Sequence, residues 1–349
     1  MDLIRVLFLA DTHLGFDQPA RPRVERRRRG PDFFANTQRA LEPALRGEVD
    51  FVVHGGDLLY RSRVPPSLVD AAFAPLKQVA DAGVPVLLVP GNHERSHIPH
   101  ALLSLHPNIH VFDRPRTFVL NVRNVSVAFA GFPFVGNGVR GRFRELIERT
   151  QGLATAADIR LLCIHECVDG AKVGPANYTF RDVENVVNTR DLPPGFGAVL
   201  AGHIHRRQTL TTDLYGRTLS APVLYPGSIE RTSIAEKDET KGYLRLDFAP
   251  NNVGGALAAA HFATLPARPM VVAQIQAGVE GPMFEQQVRE AIGQAPADAV
   301  LVLRVAGEPT SRELAMLSAP ILRTIAPPTM NVSVAMPHAH RVVGGANVV

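Results

Sequence analysis

The sequence predicts a layered α/β protein with parallel strands, and two observations support this fold class. First, five short apolar runs rich in β-branched residues recur within the first 205 residues, as expected for strands buried on both faces. Second, segments with helical spacing of apolar residues lie between several of these runs, and such alternation is typical of α/β folds. The length of 349 residues, with 46% hydrophobic and 20% charged residues, fits a globular protein of about two domains.

Each of the five apolar runs ends in a polar cluster that contains His, Asp or Asn. The runs and their clusters are 3–10 before Asp11-Thr12-His13, 49–53 before His54-Gly55-Gly56-Asp57, 84–90 before Gly91-Asn92-His93-Glu94, 159–164 before His165-Glu166, and 198–201 before Gly202-His203-Ile204-His205. Ligands of open α/β sheets collect beyond the carboxyl ends of the strands. We therefore expect the five clusters to lie close together.

Three helices are predicted among these strands. Residues 32–46 begin at Asp32, which we interpret as the N-cap, and residues 66–82 end before Gly83. Residues 140–151 form a third helix, which is rich in charge. The apolar residues of the first two helices recur on one stripe, so each helix has a face that can cover a sheet.

The pattern changes after residue 205. Segments 207–213, 217–225 and 242–248 resemble antiparallel strands that widen the sheet. We predict a first domain over 1–250, a linker over 251–266, a small α/β domain over 267–336 and a tail over 337–349. Within the small domain we predict strand 269–276, helix 283–293, strand 298–305, helix 311–325 and strand 331–336.

Seven side chains of the clusters offer the donors of a divalent-metal site. They are Asp11, His13, Asp57, Asn92, His165, His203 and His205. Mixed oxygen and nitrogen donors suit Mn²⁺, Fe or Zn²⁺. Seven ligands exceed the need of one ion and suit two ions that share a carboxylate, an arrangement that promotes displacement at phosphorus. The alternative, ordinary buried polar residues, is disfavoured because unpaired buried Asp and His side chains are costly.

The five clusters resemble, in order, the motifs D-x-H, G-D, G-N-H-[DE], H and G-H-x-H of the calcineurin-like metallophosphoesterase superfamily. The strings A-D-T-H-L-G (10–15), G-G-D-L-L (55–59), G-N-H-E (91–94), A-G-H-I-H (201–205) and P-G-S-I-E-R (226–231) are similar to those of SbcD and Mre-eleven nucleases of DNA double-strand-break repair. The resemblance covers about residues 1–250 and, more loosely, the segment after them. It implies a two-sheet β-sandwich flanked by helices (αββα) with a small capping domain.

The resemblance also implies roles for single residues. One ion would be held by Asp11, His13, Asp57 and His205, and the other by Asp57, Asn92, His165 and His203, so that Asp57 bridges. His93 would stabilise or protonate the leaving oxygen, with a supporting structural role as the alternative. We interpret His54 as a buried supporting histidine and not as a ligand. The implied cofactor is a pair of divalent ions, first Mn²⁺, with Mg²⁺, Fe and Zn²⁺ as alternatives.

Basic residues point to a polyanionic substrate. Residues 21–29 hold six Arg and one Glu, while the whole chain has a net charge of +4, so the remainder is close to neutral. Candidate DNA contacts are Arg26, Arg27, Arg28, Arg29, Arg61 and Arg63, because clustered Arg binds phosphate well. The alternative is a solvated segment. Tyr60 stands where the family usually has His or Asp, which leaves exonuclease behaviour open.

The predicted function is two-metal-dependent hydrolysis of DNA phosphodiester bonds, by exonuclease or endonuclease action. A phosphodiesterase or phosphatase acting on small nucleotides or phosphoproteins is the main alternative, and a DNA-binding scaffold without activity is a third. The resemblance implies an SMC-like ATPase partner of the SbcC type, although the helices that bind it are not visible, and it leaves a homodimer open. With Cys163 and Cys167 as its two cysteines, no secretory signal and no long apolar run, the sequence predicts a cytoplasmic, nucleoid-associated protein without a membrane partner.

Overall fold

The computed structural model describes residues 3–17, 29–181, 183–279 and 281–336. These residues divide into two compact units, with the boundary between Ala267 and Arg268. The strands of the three main sheets are β1 (Ile4–Leu9), β2 (Phe51–His54), β3 (Val86–Leu88), β4 (Ile109–Val111), β5 (Arg116–Val122), β6 (Val125–Gly131), β7 (Ile159–Ile164), β8 (Ala198–Ala201), β9 (Gln208–Thr212), β10 (Thr218–Tyr225), β11 (Gly242–Ala249), β12 (Ala256–Thr264), β13 (Met270–Gln276), β14 (Val300–Ala306) and β15 (Asn331–Ala335). The α-helices are α1 (Gly30–Leu45), α2 (Pro66–Asp81), α3 (Val139–Thr150), α4 (Gly281–Gln294), α5 (Ser311–Met316) and α6 (Ala319–Ile325).

Two six-stranded sheets form the larger unit. The first sheet has the order β12-β11-β1-β2-β3-β4, in which β1 to β4 are parallel and β11 is antiparallel to β1. The second has the order β9-β10-β8-β7-β6-β5, in which β10, β8, β7 and β6 are parallel and the outer pairings are antiparallel. The predicted parallel strands are therefore present, but they belong to two sheets.

The two sheets pack face to face, and helices cover their outer faces. Ile4, Val6 and Phe8 of β1 point into the core between the sheets, whereas Leu7 and Leu9 pack among residues of α1 and α2. Helix α3 contributes to a separate core on the outer face of the second sheet. Burial on both faces explains the near-continuous apolar runs of the sequence. This is the αββα arrangement that the sequence predicts.

Several predicted elements differ from the structure. The predicted linker 251–266 contains β12, which pairs with β11 along most of its length. The hairpin β5–β6 is not predicted from the sequence; it turns at Arg123 and Asn124, whose φ angles of 46° and 63° suit a tight hairpin. Helix α1 begins at Gly30, because Pro31 suits a first helical turn, and Asp32 therefore lies inside that turn rather than at the N-cap.

The smaller unit contains a parallel three-stranded sheet of order β13-β14-β15. Phe284, Val288 and Ile292 of α4 pack with Leu301 and Leu303 of β14 in its core. The predicted helix 311–325 is two helices, α5 and α6, with the second beginning beside Pro320. The other predicted elements of this unit are present with ends shifted by up to two residues.

Among the residues that the structure describes, none of the helices is long and apolar enough to span a membrane.

Candidate metal centre

The five polar clusters meet at one edge of the sandwich, where the carboxyl ends of the parallel strands of both sheets lie close together. Strands β1, β2 and β3 of the first sheet and β7 and β8 of the second each lead into one cluster. Contacts between side chains connect all seven predicted ligands into one cluster. The prediction that the strand ends converge is thus confirmed, and the convergence joins two sheets.

Asp57 lies at the centre of this cluster. Its Oδ2 atom is 3.4 Å from Nε2 of His165, 3.8 Å from Nε2 of His93 and 3.9 Å from Nε2 of His13. Its Oδ1 atom accepts a hydrogen bond of 2.9 Å from the backbone N–H of His93. The carboxylate therefore faces histidines that come from three different motifs, which is the position a bridging ligand needs.

The donor atoms form three overlapping groups, one of which consists of His13, Asp57 and His93. Asp11, His13 and His205 form the first group, and Asp57, His165 and His203 form the second; within each group the donor atoms lie within 4.8 Å of one another. Oδ1 of Asn92 joins the second group, 3.0 Å from Nε2 of His165 and 2.8 Å from Nδ1 of His203. The first and second groups contain members of the two ligand sets that the resemblance implies, and the assignment of ions to them stays a prediction.

The backbone of the ligand loops takes an unusual conformation. Asp11, His13 and Asp57 have φ angles of 53°, 45° and 53°, in the left-handed region that non-glycine residues seldom adopt. The loops after β1 and β2 hold each other in place, since the N–H of Asp11 donates to the carbonyl of Gly56 and that of His13 donates to the carbonyl of Asp57, both at 2.9 Å. Such conformations cluster at functional sites, where the surrounding structure maintains them.

Two glycines of the motifs leave space for ligands. A Cβ atom at Gly56 would lie 2.2 Å from Nδ1 of His165, and one at Gly91 would lie 2.2 Å from Oδ1 of Asp57. Neither neighbour is a flexible chain end that could move aside, because both side chains are buried. The glycines before Asp57 and Asn92 are therefore needed for close packing of the ligand side chains.

Burial and neighbouring charge shift the pKa values of the cluster in opposite directions. Burial lowers the pKa of His203 to about 3 and holds that of His13 well below its usual value. Burial also disfavours a charged His165, but the adjacent Asp57 carboxylate outweighs it and raises the pKa of His165 to about 10. The pKa of Asp57 is lowered because His165 and its neighbours overcome the cost of burial.

These properties fit divalent cations. The lowered pKa values of His13 and His203 leave these imidazoles with the lone pairs that metal binding requires. Asp57 is ionised among several histidines, and Nε2 of His13 lies 2.9 Å from Nε2 of His205. Nδ1 of His205 faces the carboxylate of Glu236 at 3.1 Å, and Nε2 of this ring faces His13. A cation between such converging donors would satisfy them together.

His93 is held in a defined orientation at the edge of the cluster. Its Nδ1 atom lies 2.6 Å from the carbonyl oxygen of Tyr60, so Nδ1 carries the proton and donates it there. Nε2 is thereby left free of that proton and faces Asp57. The ring of Tyr60 lies 5.6 Å from that of His93 and 6.0 Å from that of His13. Tyr60 thus forms one wall of the site at the position where it departs from the family pattern.

Glu94 and His54 support the loops and satisfy their own polar atoms. The Glu94 carboxylate accepts hydrogen bonds from the N–H groups of Leu59 (2.5 Å) and Gly91 (2.8 Å), and burial raises its pKa to about 8. His54 accepts from the N–H of Gly56 at 3.2 Å and contacts Oγ1 of Thr12 at 3.0 Å. His54 is therefore the satisfied buried histidine that the sequence analysis expects.

The predicted DNA-contact residues differ in their settings. Arg26, Arg27 and Arg28 lie outside the described residues. Arg61 and Arg63 are exposed, and the Arg61 guanidinium lies 5.8 Å from the centre of the Tyr60 ring.

Arg29 is directed into the larger unit instead of outward. Its side chain is 6% exposed and lies 3.8 Å from the carboxylate of Glu230, and its guanidinium stands over the rings of Phe16 and Phe33 at 5.3 and 5.7 Å. It also donates to the carbonyl of Arg231 at 2.5 Å. The structure thus corrects the expectation for Arg29, which is an internal anchor where the basic segment joins α1.

Glu236 is a residue of the site that the sequence analysis missed. It belongs to a short 3₁₀ helix (Ile234–Glu236) and reaches His205 from a part of the chain with no predicted role. Its motif signal is weak, because a single Glu in a polar loop is common. Only the tertiary contact distinguishes it.

Comparison with known proteins places this site in a family. Residues 4–207 match the calcineurin-like phosphoesterase family. The chain is 32% identical over 310 residues to the DNA double-strand break repair protein Mre11 of Haloferax volcanii, covering 88% of this chain and 62% of that protein. It is 30% identical over 319 residues to the protein of the same name from Halobacterium salinarum, covering 88% and 71%. It is 26% identical over 216 residues to the Mre11 of Saccharolobus solfataricus, covering 60% and 52%.

Proposed function

The chain belongs to the calcineurin-like phosphoesterase family, and from this premise we propose that it is a metal-dependent nuclease that hydrolyses DNA phosphodiester bonds. The observation that carries the proposal is the convergence of seven side chains with oxygen or nitrogen donors, six of them around the Asp57 carboxylate. The Mre11 relatives named above are double-strand-break repair proteins, which supports DNA as the substrate. The chain spans about 62% of the Haloferax protein and 52% of the Saccharolobus protein, so the activity of the whole relatives is part of the proposal.

We propose two divalent ions, with Mn²⁺ as the first candidate. Asp11, His13 and His205 would hold one ion, and Asn92, His165 and His203 would hold the other. Asp57 would bind both. Donors of this mixed kind suit Mn²⁺ and also Fe or Zn²⁺. When bound, such a pair of ions supplies an activated water and neutralises negative charge at phosphorus.

The residues of this chain supply the remaining steps. Asp57 and the loops around it hold the donors in place before substrate binds, so little rearrangement is needed. His93 keeps its Nδ1 proton on the carbonyl of Tyr60 and presents Nε2 to the site. With a second proton on Nε2, the charged ring would stabilise the leaving oxygen or transfer that Nε2 proton to it. Arg61 and Arg63 are exposed to solvent and follow Tyr60 in the chain. They would bind the phosphates of the nucleotides next to the cleaved bond.

The proposal extends to partners and location. We propose DNA as the binding partner, with an SMC-like ATPase of the SbcC type and a second copy of the chain as candidate protein partners. The cytoplasm with its nucleoid is the compartment in which such a nuclease would act. Co-purification and sedimentation measurements would test both protein partners.

One assay separates the proposed nuclease from a small-molecule phosphoesterase. Labelled linear and circular DNA, single- and double-stranded, would be incubated with the protein and Mn²⁺ or Mg²⁺, beside bis-p-nitrophenyl phosphate, a mononucleotide and a phosphoprotein. We expect metal-dependent cleavage of DNA and of the generic diester, abolished by EDTA and by Asp57→Ala. Cleavage of linear but not circular DNA would indicate an exonuclease. Hydrolysis of the small substrates without any cleavage of DNA would contradict the proposal.

A further inference from the structure

A buried charged cluster lies directly behind His205. Lys241 is fully buried, and its ammonium group lies 2.6 Å from Oε2 of Glu236 and 2.9 Å from Oε2 of Glu239. It also donates a hydrogen bond of 3.0 Å to the carbonyl oxygen of His205. Thr232 donates to Oε1 of Glu236 at 2.6 Å. A fully buried lysine is rare unless its charge is paired, so this arrangement serves to hold the acidic groups in place.

Within this cluster, Glu236 is the carboxylate that touches the ring of His205. Its Oε1 atom lies 3.1 Å from Nδ1 of His205, while its Oε2 atom faces Lys241. The Glu236 side chain is 10% exposed, so water competes little for these bonds. Glu239 contacts the same lysine and Arg206, and among the described residues its carboxylate makes no hydrogen bond or ion pair with the His205 ring.

We propose that Glu236, held by Lys241, is a positioning residue that fixes the proton of His205 on Nδ1 and so directs the Nε2 lone pair to the metal centre. This inference rests on the proposed function, because it takes His205 as a metal ligand. Carboxylates commonly orient ligand histidines in this way, and their loss weakens metal binding. The structure adds that the orienting carboxylate is itself fixed by a buried lysine, which also binds the His205 backbone.

Substitution of Glu236 by Gln would reverse the hydrogen bond at His205. The Gln side chain has the same shape, but only its oxygen can face the Lys241 ammonium, because the amide NH₂ group would face another donor. The NH₂ group would then point to Nδ1 of His205 and favour the tautomer in which Nδ1 is the acceptor, against the Oγ1 atom of Thr232, which lies farther from Nδ1 at 3.3 Å. The ring proton would move to Nε2 and block the lone pair that faces His13.

The test compares Glu236→Gln with Glu239→Gln, which removes the same charge beside the same lysine. In the metal-free proteins, ¹⁵N-histidine NMR above the titration range of His205 reports which ring nitrogen carries the proton. We expect Nδ1 in the parent and in Glu239→Gln, and Nε2 in Glu236→Gln. Calorimetric titration with Mn²⁺ should show one of two ions bound about 10–100-fold more weakly in Glu236→Gln alone.

The outcomes separate this inference from the proposed function. An unchanged tautomer in Glu236→Gln, or an equal loss of Mn²⁺ affinity in Glu239→Gln, would overturn the positioning role. A parent protein that binds none of Mn²⁺, Mg²⁺, Fe²⁺ and Zn²⁺ would contradict the proposed function, whereas the tautomer measurement, which needs no metal, still decides the role of Glu236. If Glu236→Gln shows no cooperative thermal unfolding transition and is therefore not folded, Glu236→Asp is the second variant. It keeps the charge but moves the carboxylate away from His205, and it should weaken the binding of the same Mn²⁺ ion.

Discussion

At the scale of single residues, the chemistry of the site depends on side chains whose neighbours define their charge. Asp57 stays ionised because His165 and the nearby histidines outweigh the cost of burial. Gly56 and Gly91 leave room for His165 and for Asp57 itself. Close packing and a left-handed backbone conformation thus hold the ligand side chains in place. We expect a substitution of a single residue at these positions to have a large effect on metal binding.

Replacing the central carboxylate tests the bridging role. We expect Asp57→Ala to lose both ions and all hydrolytic activity, because the carboxylate is the ligand proposed to be shared. Metal analysis of the purified protein after loading with Mn²⁺ measures ions bound per chain. Asp70→Ala, which removes a carboxylate that is 66% exposed on α2, is the control and should keep both ions. Two tightly held ions in Asp57→Ala would exclude a bridging role.

Replacing His93 distinguishes a chemical role from metal binding. We expect His93→Asn to keep its metal content and to lower turnover by about 10²–10⁴-fold, the usual contribution of a positioned acid or base. The measurement combines metal analysis with the rate of hydrolysis of a generic diester. A donor atom of His93 also lies within 4.8 Å of donor atoms of His13 and Asp57, so all three residues could bind one ion. Loss of metal together with activity would therefore show that His93 is a ligand or a support.

At the scale of elements, Asp50 connects the two sheets at the end opposite the strand carboxyl termini. It precedes β2, accepts from the N–H of Arg5 in β1 at 2.8 Å, and accepts two hydrogen bonds from Arg123 in the β5–β6 hairpin. Burial opposes its charge, but the hydrogen bonds from Arg123 and Arg5 hold the pKa of Asp50 below its usual value. The first sheet is thereby attached to an element of the second.

This contact predicts a pH-dependent stability. The pKa of Asp50 is depressed in the folded state. Its contribution to the free energy of unfolding is therefore fully present above the pKa of the unfolded chain, about 3.9. This contribution is lost as the pH falls through the pKa of the folded state. We expect Asp50→Asn to lower the free energy of unfolding by about 1–2 kcal/mol at pH 7, measured with urea. The difference from the parent should shrink below about pH 4.

A matched control for Asp50 uses an exposed ion pair. Glu42 and Arg46 are each 56% exposed, so Glu42→Gln should change the free energy of unfolding by less than about 0.5 kcal/mol. An effect of Asp50→Asn as small as that of Glu42→Gln would show that the contact does not stabilise the sandwich.

At the scale of the whole molecule, positive charge is concentrated in one segment. The structure removes Arg29 from that segment as a DNA contact, so Arg26, Arg27 and Arg28 remain as candidates. Contacts with phosphates release counterions, and on duplex DNA log K falls with log salt by about 0.9 for each phosphate neutralised. We expect replacement of these three arginines by Ser to flatten the slope by up to about 2.7.

The controls for this prediction separate local contacts from net charge. Replacing three exposed arginines of α3, Arg142, Arg144 and Arg149, by Ser removes the same charge from another surface and should leave the slope closer to that of the parent. Hydrolysis of a small diester should stay unchanged in both variants, because the metal centre does not need either segment. Equal salt slopes for the loop variant and the parent would exclude the loop as a DNA contact.

The sequence by itself determined the five strands that lead into the polar clusters, the clusters themselves and the identity of the seven candidate ligands. Apolar runs and motif residues are local signals, so β1 and β7 could be located without knowledge of their neighbours. The turn at Arg123 and Asn124 carries a weaker local signal, and β12 follows a stretch of Asn and Gly that is typical of linkers; both elements were missed.

Only the tertiary structure decided how these pieces meet. The family resemblance implies two sheets, but the packing decided which strands belong to each. Alternate apolar side chains of β1 and its neighbours are buried between the sheets, and β7 and β8 belong to the second sheet. The inward direction of the Arg29 side chain depends on Glu230, about 200 positions away in the chain. The role of Glu236 depends on its contact with His205, which is 31 positions away. Such long-range pairings leave no periodic pattern in the sequence, since their free energy comes from burial and charge that exist only once the chain has folded.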